Sequence, residues 1–290
     1  MLLNTLKYIY HHPLNKGEQF GAILRFLKWQ LQTKLNPYPV VYPFTAHTHL
    51  IMQKGLTGAT GNLYCGLMEF EDMAFVLHFL RKEDHFVDVG ANVGVYTILA
   101  AGEVGAHTTC VEPVPSTFNI LQKNIALNLL QEKVNALNIG LGSTNSIIKF
   151  TQSFDTVNHV ATATETNTID VPVACLDDVL QNVPALIKID VEGFETEVLN
   201  GAASTLANPQ LKGIIIELNE SGLRYGYDES LIHQKLLNHG FRPYQYQPFE
   251  RKLNELSTFG SHNTIYLRDL EFVQNRIATA VAVKIRKQQF

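Results

Sequence analysis

The sequence predicts an α/β fold in which helices cover both faces of a mostly parallel sheet. From about residue 85, short apolar segments alternate with segments whose apolar residues have helical spacing, a pattern typical of parallel strands joined by helices. One apolar segment, at 86–90, ends in a glycine turn and continues directly into a second apolar stretch. With 290 residues, of which 46% are hydrophobic and 17% charged, the chain is long enough to bury a core on each face.

Residues 1–64 are expected to form an extension that precedes the sheet. One or two helices are predicted there from apolar residues at helical spacing: Phe20, Ile23, Leu24, Leu27 and Leu31, and more weakly Leu2, Leu3, Leu6 and Ile9. Pro13 and Gly17 separate the two segments. A β-like passage over 40–67 follows, whose turns are assigned to Gly55, Gly58 and Gly61.

The alternating region predicts a domain over residues 65–270. A helix over 73–80 leads into strands expected near 85–89, 107–111, 134–139, 185–190 and 213–218. The intervening helices are expected near 94–102, 116–128, 193–206 and 228–239. Residues 143–172 are Thr-rich and polar, so they predict an insertion, with one arm of a hairpin at 147–150. Segments 241–247 and 263–268 predict a final antiparallel pair, and residues 271–290 predict a basic C-terminal helix.

The net charge of −4 is distributed unevenly along the chain. Residues 1–40 carry five basic residues and one acid, and residues 268–290 carry five basic residues and two acids. The middle of the chain is therefore acidic, which argues against a nucleic-acid partner, since such proteins concentrate basic residues around their site. The basic ends could contact an anionic surface or partner, or they could be solvated helix faces.

The cysteines and the N-terminus predict a cytoplasmic protein. Cys65, Cys110 and Cys175 are widely spaced and form no CxxC pair, so we expect reduced thiols and no structural zinc. No apolar run reaches the roughly 18–20 residues that span a bilayer, and Lys7 and His11 interrupt any signal-peptide pattern. The oligomeric state stays open, with a homo-oligomer paired through the N-terminal segment as one possibility.

The turn after the first central strand predicts a ligand site. Its sequence, DVGANVG at 88–94, places Asp88 before Gly90, Asn92 and Gly94. A dinucleotide-binding turn would need glycines at 92 and 95, where this chain has Asn92 and Val95. The glycines that are present still allow a tight turn and close backbone approach. An acid just before the turn would repel a pyrophosphate and favours a cationic ligand.

A second acid ends the next strand. Glu112 lies 22 residues after Gly90, at a position where a carboxylate takes the hydroxyls of a ribose in nucleotide-binding folds. Together with Asp88 it favours a sulfonium-bearing ribonucleoside, S-adenosylmethionine, as cofactor. The alternatives are a nicotinamide-dependent oxidoreductase, a non-catalytic module that keeps the cofactor fold, and a core strand with a helix-capping turn.

Four segments resemble, in order, the motifs of the FkbM family of S-adenosylmethionine-dependent methyltransferases. They are DVGANVG at 88–94, VEPVPSTFNILQKNIALN at 111–128, LIKIDVEGFETEVLNGA at 186–202 and IIIELN at 214–219. The resemblance implies a class I methyltransferase sheet of seven strands, the last antiparallel. It also implies O-methylation of a small-molecule or glycan hydroxyl, in a sugar or natural product. The N-terminal helices and the insertion at 143–172 lie outside these motifs and are expected to govern substrate choice.

The cofactor-binding residues are predicted around the glycine turn. Gly90, Asn92 and Gly94 would surround the methionine part, with Asp88 toward its amino group or sulfonium. Glu112 would bind the ribose hydroxyls, and Asn138, at the end of the third strand, would lie near the adenine. The resemblance adds Glu69, which matches a Gly-x-x-Glu pattern just upstream of the first motif and could instead be an exposed acid at a helix start.

Asp190 is the predicted catalytic residue and a cofactor neighbour. It ends the fourth strand, and the carboxyl ends of parallel strands line the ligand crevice. A carboxylate there can orient an acceptor hydroxyl and take its proton during methyl transfer. Glu192 would point to the same side while the chain stays extended; this pair could hold a divalent metal, although we expect none, or Glu192 could simply begin the next helix.

Further substrate contacts are predicted where later strands meet the crevice. They are Glu217 and Asn219 at the end of the fifth strand and His262 before the last strand, with Glu192 as a fourth candidate. Each of these residues offers a hydrogen-bonding group to an acceptor that carries hydroxyls.

Overall fold

An eight-stranded sheet forms the centre of the protein, in a computed structural model that describes residues 2–151, 158–162 and 164–290. The first strands are β1 (Val40–Pro43), β2 (His49–Met52), β3 (His85–Val89), β4 (His107–Val111), β5 (Val134–Leu137), β6 (Gly140–Leu141), β7 (Ser146–Thr151) and β8 (Thr168–Ala174). The later strands are β9 (Leu186–Ile189), β10 (Gly213–Glu217), β11 (Arg242–Gln247), β12 (Lys252–Glu255), β13 (Asn263–Leu267), β14 (Lys284–Ile285) and β15 (Gln288–Gln289).

Helices precede, connect and follow these strands. They are α1 (Leu2–His11), α2 (Gln19–Leu35), α3 (Thr57–Cys65), α4 (Phe70–Phe79), α5 (Val95–Ile98), α6 (Pro115–Leu127), α7 (Leu176–Val179), α8 (Glu195–Asn200), α9 (Ala203–Ala207), α10 (Glu229–Asn238) and α11 (Leu270–Thr279). A π-helical segment, Leu99–Val104, continues α5. None of the described helices combines the length and apolarity that crossing a bilayer requires.

The central sheet has the order β12-β11-β13-β10-β9-β3-β4-β5. Strands β10, β9, β3, β4 and β5 run parallel, and β13 lies antiparallel between β10 and β11. The predicted α/β fold and its antiparallel last strand are therefore confirmed, with β12 added at one edge as an eighth strand. The chain steps outward from β3 to β5 and then returns to β9, so a topological switch point lies between β3 and β9, where such sheets bind ligands.

The parallel strands are buried on both faces of the sheet. All four residues of β9 are buried, and neighbouring residues of β3 alternate between two apolar clusters, with Phe86 in one and Val87 in the other. This explains why these strands read as apolar runs rather than as alternating patterns. Two charged residues interrupt these apolar runs, Lys188 of β9 at 3% exposure and Asp88 of β3 at 1%.

The N-terminal extension differs from its prediction in one segment. The helices expected from apolar spacing are present as α1 and α2, and β1 pairs with β2. The β-like prediction for 40–67 is wrong over Thr57–Cys65, which forms α3. Gly61 serves close packing there rather than a turn, since a Cβ at this position would meet the Met68 sulfur at 2.0 Å.

The insertion and the C-terminus contain more strand than the sequence suggested. In the insertion β7 pairs with β8, and β6 completes a three-stranded sheet, so the hairpin arm at 147–150 is confirmed. Residues 152–157 and 163 of the insertion lie outside the described residues. The predicted C-terminal helix is wrong beyond Thr279, because the chain turns at Arg286, whose φ is +57°, and β14 pairs with β15. The domain boundaries themselves stay predictions.

Asn124 of α6 joins the extension to the glycine turn, and Asn128, just after the end of α6, adds a second link to the extension. The buried Asn124 accepts the amide N–H of Ile51 in β2 and donates to the carbonyl of Val93, both at 2.8 Å. One helical turn later, Asn128 bonds both the N–H and the carbonyl of His49. The side chains therefore satisfy backbone groups of β2 that would otherwise be exposed at a strand edge.

Replacing Asn124→Ala should destabilise the fold by about 2–4 kcal/mol, since one buried and one partly buried backbone group lose their partners. Urea denaturation followed by circular dichroism measures the free energy of unfolding. The matched control is Asn119→Ala, an exposed residue on the same helix, which should change it by no more than about 0.5 kcal/mol. Equal effects of the two substitutions would contradict the bridging role of Asn124.

Candidate active site

A crevice of about 280 Å³ lies at the carboxyl ends of β3, β4 and β9. Eight of the predicted site residues line it, namely Glu69, Asp88, Gly90, Asn92, Glu112, Asp190, Glu192 and Glu217. A second concavity, of about 920 Å³, lies at the amino-terminal ends of the same strands and includes His85, His107 and Val134. Ligands of open α/β sheets bind at the carboxyl ends of the strands, so the smaller crevice is the candidate site.

The glycines of the turn are required by the packing of strand and helix ends. Gly90 has a φ of +78°, and a Cβ there would meet the carbonyl oxygen of Asp190 at 1.8 Å. Gly94 has a φ of +89°, and its Cβ would meet Leu121 of α6 at 2.4 Å. Gly90 lines the crevice, whereas Gly94 does not line it and packs closely against α6. Both positions therefore exclude side chains whether or not a ligand is bound.

Asn92 and Glu112 are joined at the mouth of the turn. Asn92 has a φ of +50°, which asparagine tolerates better than most residues, and its side-chain oxygen accepts the N–H of Val93. The Glu112 carboxylate accepts the N–H of Asn92 at 3.0 Å and that of Val114 at 2.8 Å. Each carboxylate oxygen accepts one of these bonds and keeps a second lone pair. Burial nonetheless raises the pKa of Glu112 to about 7.

A buried lysine lies between the predicted acids. Lys188 is the register partner of Asp88 on the neighbouring strand, and its Nζ donates to Asp190 Oδ2 at 2.8 Å. Its ammonium also lies 4.8 Å from the centre of the Tyr96 ring, within range of a cation–π contact. Burial acts to lower the pKa of Lys188, but the carboxylates of Asp190, Glu69 and Asp88 hold it above its usual value.

Asp88 is almost completely buried beneath the turn. It is 1% exposed, and its Oδ2 accepts a hydrogen bond of 2.7 Å from Thr97 of α5. Burial raises the pKa of Asp88, while Lys188 and Thr97 oppose that rise. The carboxyl therefore combines two functions, fixing the start of the helix after the turn and presenting negative charge to the crevice.

A hydrogen-bonded chain closes the side of the crevice formed by α4. The Tyr96 hydroxyl donates to Glu69 Oε2 at 2.8 Å, and the Asn263 amide donates to Glu69 at 3.2 Å and to Asp72 at 3.1 Å. Burial, together with Glu69, raises the pKa of Asp72 to about 7. Glu69 therefore lies at the start of a helix, as one interpretation expected, yet its carboxylate faces the crevice.

Three carboxyl groups meet where β9 and β10 end. One oxygen from each of Asp190, Glu192 and Glu217 lies within 4.8 Å of the others. The sequence interpretation assumed an extended chain from Asp190 to Glu192. The chain is bent here instead, because Glu192 has a φ of +55°. The buried carboxylate of Glu195 accepts the N–H groups of Val191 and Gly193 and so fixes this bend.

Crowding changes the charge state of this carboxyl cluster. Burial, with the nearby Asp190 and Glu192, raises the pKa of Glu217 to about 9, and burial with Asp190 raises that of Glu192 to about 7. Within the described residues, the Oε2 atom of Glu217 is buried and lacks a hydrogen-bond partner. Like charges this close cannot all ionise, so the cluster can retain protons or accept a cation, for which hard oxygen ligands are suitable.

The remaining predicted residues do not line the crevice. Asn138 lies behind Glu112 and donates to the carbonyls of Glu112 and Pro113 at 2.8 and 3.1 Å. Asn219 is exposed, and its side-chain oxygen accepts the N–H of Ser221. His262 is exposed as well, and its carbonyl accepts the N–H of Leu218. Any contact of these residues with a ligand stays a prediction.

Sequence reasoning missed Lys188, Tyr96 and Asp72 as parts of the site. A signal for Lys188 was present, because a charged residue in the middle of the apolar segment LIKI is rarely buried without a partner. The insertion also contributes, since Phe150 and Asn158 line the crevice. Tyr225, in the segment that follows β10, holds the insertion by donating a hydrogen bond to the carbonyl of Val160 at 2.7 Å.

The sheet order, with the antiparallel β13 between β10 and β11, is that of the class I methyltransferase fold. The sequence model described as the methyltransferase FkbM domain matches residues 88–243, more than half of the chain. The protein therefore belongs to the FkbM methyltransferase family, as its motifs suggested, which removes the support for the oxidoreductase alternative. The alternative of a non-catalytic module is not tested by family membership.

Two methyltransferases resemble this chain in sequence at low identity. Methyltransferase 1 of Beauveria bassiana is 28% identical over 193 residues, which cover 57% of this chain and 77% of that protein. The hexuronic acid methyltransferase AglP of Haloferax volcanii is 26% identical over 155 residues, 52% of this chain and 62% of that protein. This chain thus spans less than two thirds of the second relative.

Two solved structures illustrate the similarity of this chain to known folds. A methyltransferase FkbM from Methylobacillus flagellatus aligns over 72% of this chain and 52% of its own, at 16% identity and a TM-score of 0.46. M. jannaschii TYW2, in complex with AdoMet, aligns over 80% of this chain and 86% of its own, at 13% identity and a TM-score of 0.44.

The raised pKa of Glu217 predicts a specific dependence of stability on pH. Because the folded state retains a proton that the unfolded state loses above about pH 4.5, this group makes the free energy of unfolding fall as pH rises toward 9. Glu217→Gln keeps a hydrogen-bond donor and removes the ionisable group. The variant should match the wild type near pH 5 and be more stable by several kcal/mol at pH 9, because each unit of pKa difference between the folded and unfolded states is worth about 1.4 kcal/mol.

Urea denaturation at several pH values measures this difference. The control is Glu255→Gln, an exposed acid on the edge strand β12, which should leave the pH profile unchanged. A Glu217→Gln profile parallel to that of the wild type from pH 5 to 9 would show that Glu217 ionises normally.

Proposed function

We propose that this protein is an S-adenosylmethionine-dependent O-methyltransferase that acts on a hydroxyl of a sugar, glycan or natural product. The observation that carries the proposal is the charge of the crevice. Among the described residues, six carboxyl groups and one lysine line it, and burial raises the pKa of several of these carboxyls. A cationic ligand would relieve this repulsion, and an anionic pyrophosphate would increase it.

The chain's residues fit an adenosyl sulfonium in three places. Glu112, between β4 and α6, has a free lone pair on each oxygen for the two ribose hydroxyls. Asp88 and Glu69 both line the crevice, where their negative charge could attract an ammonium or sulfonium. The amide of Asn92 could donate to the cofactor carboxylate, because its oxygen is already bonded to Val93. When bound, the cofactor would supply an electrophilic methyl group that leaves a neutral thioether behind.

Asp190 is the proposed catalytic base. Its Oδ2 is held by Lys188, so Oδ1 is the oxygen that can accept the proton of an acceptor hydroxyl. A protonated Glu217 beside it could donate a hydrogen bond to Asp190 or to the acceptor, which would orient the nucleophile. As the hydroxyl oxygen bonds to the methyl carbon, its proton passes to Asp190, and most of the remaining rate enhancement would come from alignment in a closed site.

The acceptor is proposed to enter beside the insertion. Phe150 and Asn158 line the crevice, and an apolar ring beside polar groups suits the mixed surface of a sugar. The hexuronic acid methyltransferase among the relatives makes a hydroxyl on a uronic-acid-containing glycan the first acceptor to test.

The proposed function is tested in two stages. Calorimetry with S-adenosylhomocysteine tests cofactor binding, with NADH as the comparison ligand. Incubation with S-adenosylmethionine carrying a labelled methyl group and a panel of hydroxylated glycans, followed by mass spectrometry, tests transfer. Absence of both heat and a thermal shift with S-adenosylhomocysteine would overturn the proposal. Label found on nitrogen or carbon would support methyl transfer but would contradict transfer to a hydroxyl oxygen.

The proposed contact of Glu112 with the ribose can be separated from its structural role by a thermodynamic cycle. The cycle compares the wild type and one variant, each with two ligands that differ in a single hydroxyl. The wild type should bind 2′-deoxy-S-adenosylhomocysteine about ten- to a hundredfold more weakly than the parent compound, because a hydrogen bond to a charged group is lost. Glu112→Ala should bind both ligands with similar dissociation constants, measured calorimetrically. If the variant still discriminates as the wild type does, Glu112 does not contact that hydroxyl.

Asp190→Asn should lower kcat by about 10² to 10⁴ while the dissociation constant for S-adenosylhomocysteine changes little, since acid–base groups contribute on this scale. The control is Asp170→Asn, an exposed residue paired with Lys149, which should leave kcat nearly unchanged. Turnover of Asp190→Asn within a few-fold of the wild type would exclude Asp190 as the base.

A further inference from the structure

Helix α2 is apolar on two opposite faces. One face packs on the core through the buried residues Ala22, Phe26, Trp29 and Thr33. The other presents Phe20, Leu24, Leu27, Leu31 and Leu35 to solvent, with exposures between 49% and 78%. Monomeric soluble proteins rarely leave a continuous row of large apolar side chains uncovered, so such a row indicates a binding surface.

The exposed row is regular and is bordered by lysines. At 100° per residue its five members fall within about 80° of the helix circumference, and it follows a helix about 25 Å long. Lys28 and Lys34, both exposed, lie on either side of it. The neighbouring helix α1 adds further exposed apolar residues, Leu2, Leu3 and Tyr10. We call the row and its two lysines the α2 stripe.

The two basic ends of the chain meet beside this helix. Lys287 pairs with Glu18, the one acid within residues 1–40, at 2.6 Å. Gln288 donates to the carbonyl of Lys16 at 2.7 Å. The β14–β15 hairpin, which carries Lys284, Arg286 and Lys287, therefore adds positive charge beside the start of α2, whereas the crevice is lined by acids.

We infer that the α2 stripe binds the surface of an anionic lipid bilayer. An interfacial helix buries an apolar face at the boundary of the acyl chains while flanking lysines reach the headgroups, and nearby basic residues are attracted to anionic lipids. A second copy of the chain is less favoured as the occupant. A two-fold contact would bring the same basic surface from both subunits together, and Glu18 is already paired with Lys287.

Helix α3 connects the stripe to the crevice. The rings of Phe26 on α2 and Tyr64 on α3 lie 5.1 Å apart, and Gln30 donates to the Tyr64 hydroxyl at 3.3 Å. Thr57 and Gly58, at the start of the same α3, line the crevice. A bilayer bound at α2 would therefore be separated from the wall of the crevice by one helix.

Co-sedimentation of the full chain with vesicles tests the inference without any assay of activity. Vesicles of phosphatidylcholine mixed with phosphatidylglycerol should bind the protein, and vesicles of phosphatidylcholine alone should bind it at least about tenfold more weakly. The triple variant L24Q/L27Q/L31Q should lose at least about tenfold in partitioning to the mixed vesicles. The double variant K28Q/K34Q should retain part of the binding but with a weaker dependence on salt.

The matched control is L129Q/L223Q/L231Q, which changes three exposed leucines elsewhere on the surface and should bind like the wild type. Circular dichroism verifies that each variant is folded. No sedimentation of the wild type, or equal losses in both triple variants, would overturn the inference. Light scattering addresses the rival occupant: a dimer that becomes a monomer only in L24Q/L27Q/L31Q, without vesicle binding by the wild type, would assign the stripe to a second copy.

Discussion

The crevice depends on the ionic interactions of one buried group, the ammonium of Lys188. It is buried in the central strand β9, where an isolated charge would be costly, and its partner Asp190 lies 2.8 Å away. Asp88 lies across from it in register on β3, and the Tyr96 ring covers it. The lysine therefore joins the two strands that flank the switch point, and without it their acidic ends would repel each other.

One cation cannot balance six carboxyl groups, and the excess shapes the chemistry of the site. Part of the excess is relieved by backbone donors, as at Glu112, and part by protons retained where β9 and β10 end. The negative charge that remains unbalanced favours a positively charged cofactor. The net charge of the site therefore depends on how closely its carboxyl groups are packed as well as on how many there are.

The sequence predicted the sheet and the six acids of the crevice because both follow from local patterns. Acids at strand ends, such as Asp88, Glu112 and Asp190, reach one edge of a parallel sheet whatever the details of packing. The missed features depend on contacts between distant segments. Gly61 reads as a turn until Met68 packs against it, Glu192 joins Asp190 only through a bend held by Glu195, and the end of α11 is visible only from the β14–β15 hairpin.

Asn124 connects the glycine turn to β2 through the two ends of one side chain. The first fifty or so residues are for this reason not a detachable appendage. A shortened chain that began after β2 would leave an amide oxygen of α6 without its donor, next to the loop that is proposed to grip the cofactor. Selection for an intact turn would then preserve the extension as well, even where the acceptor has changed.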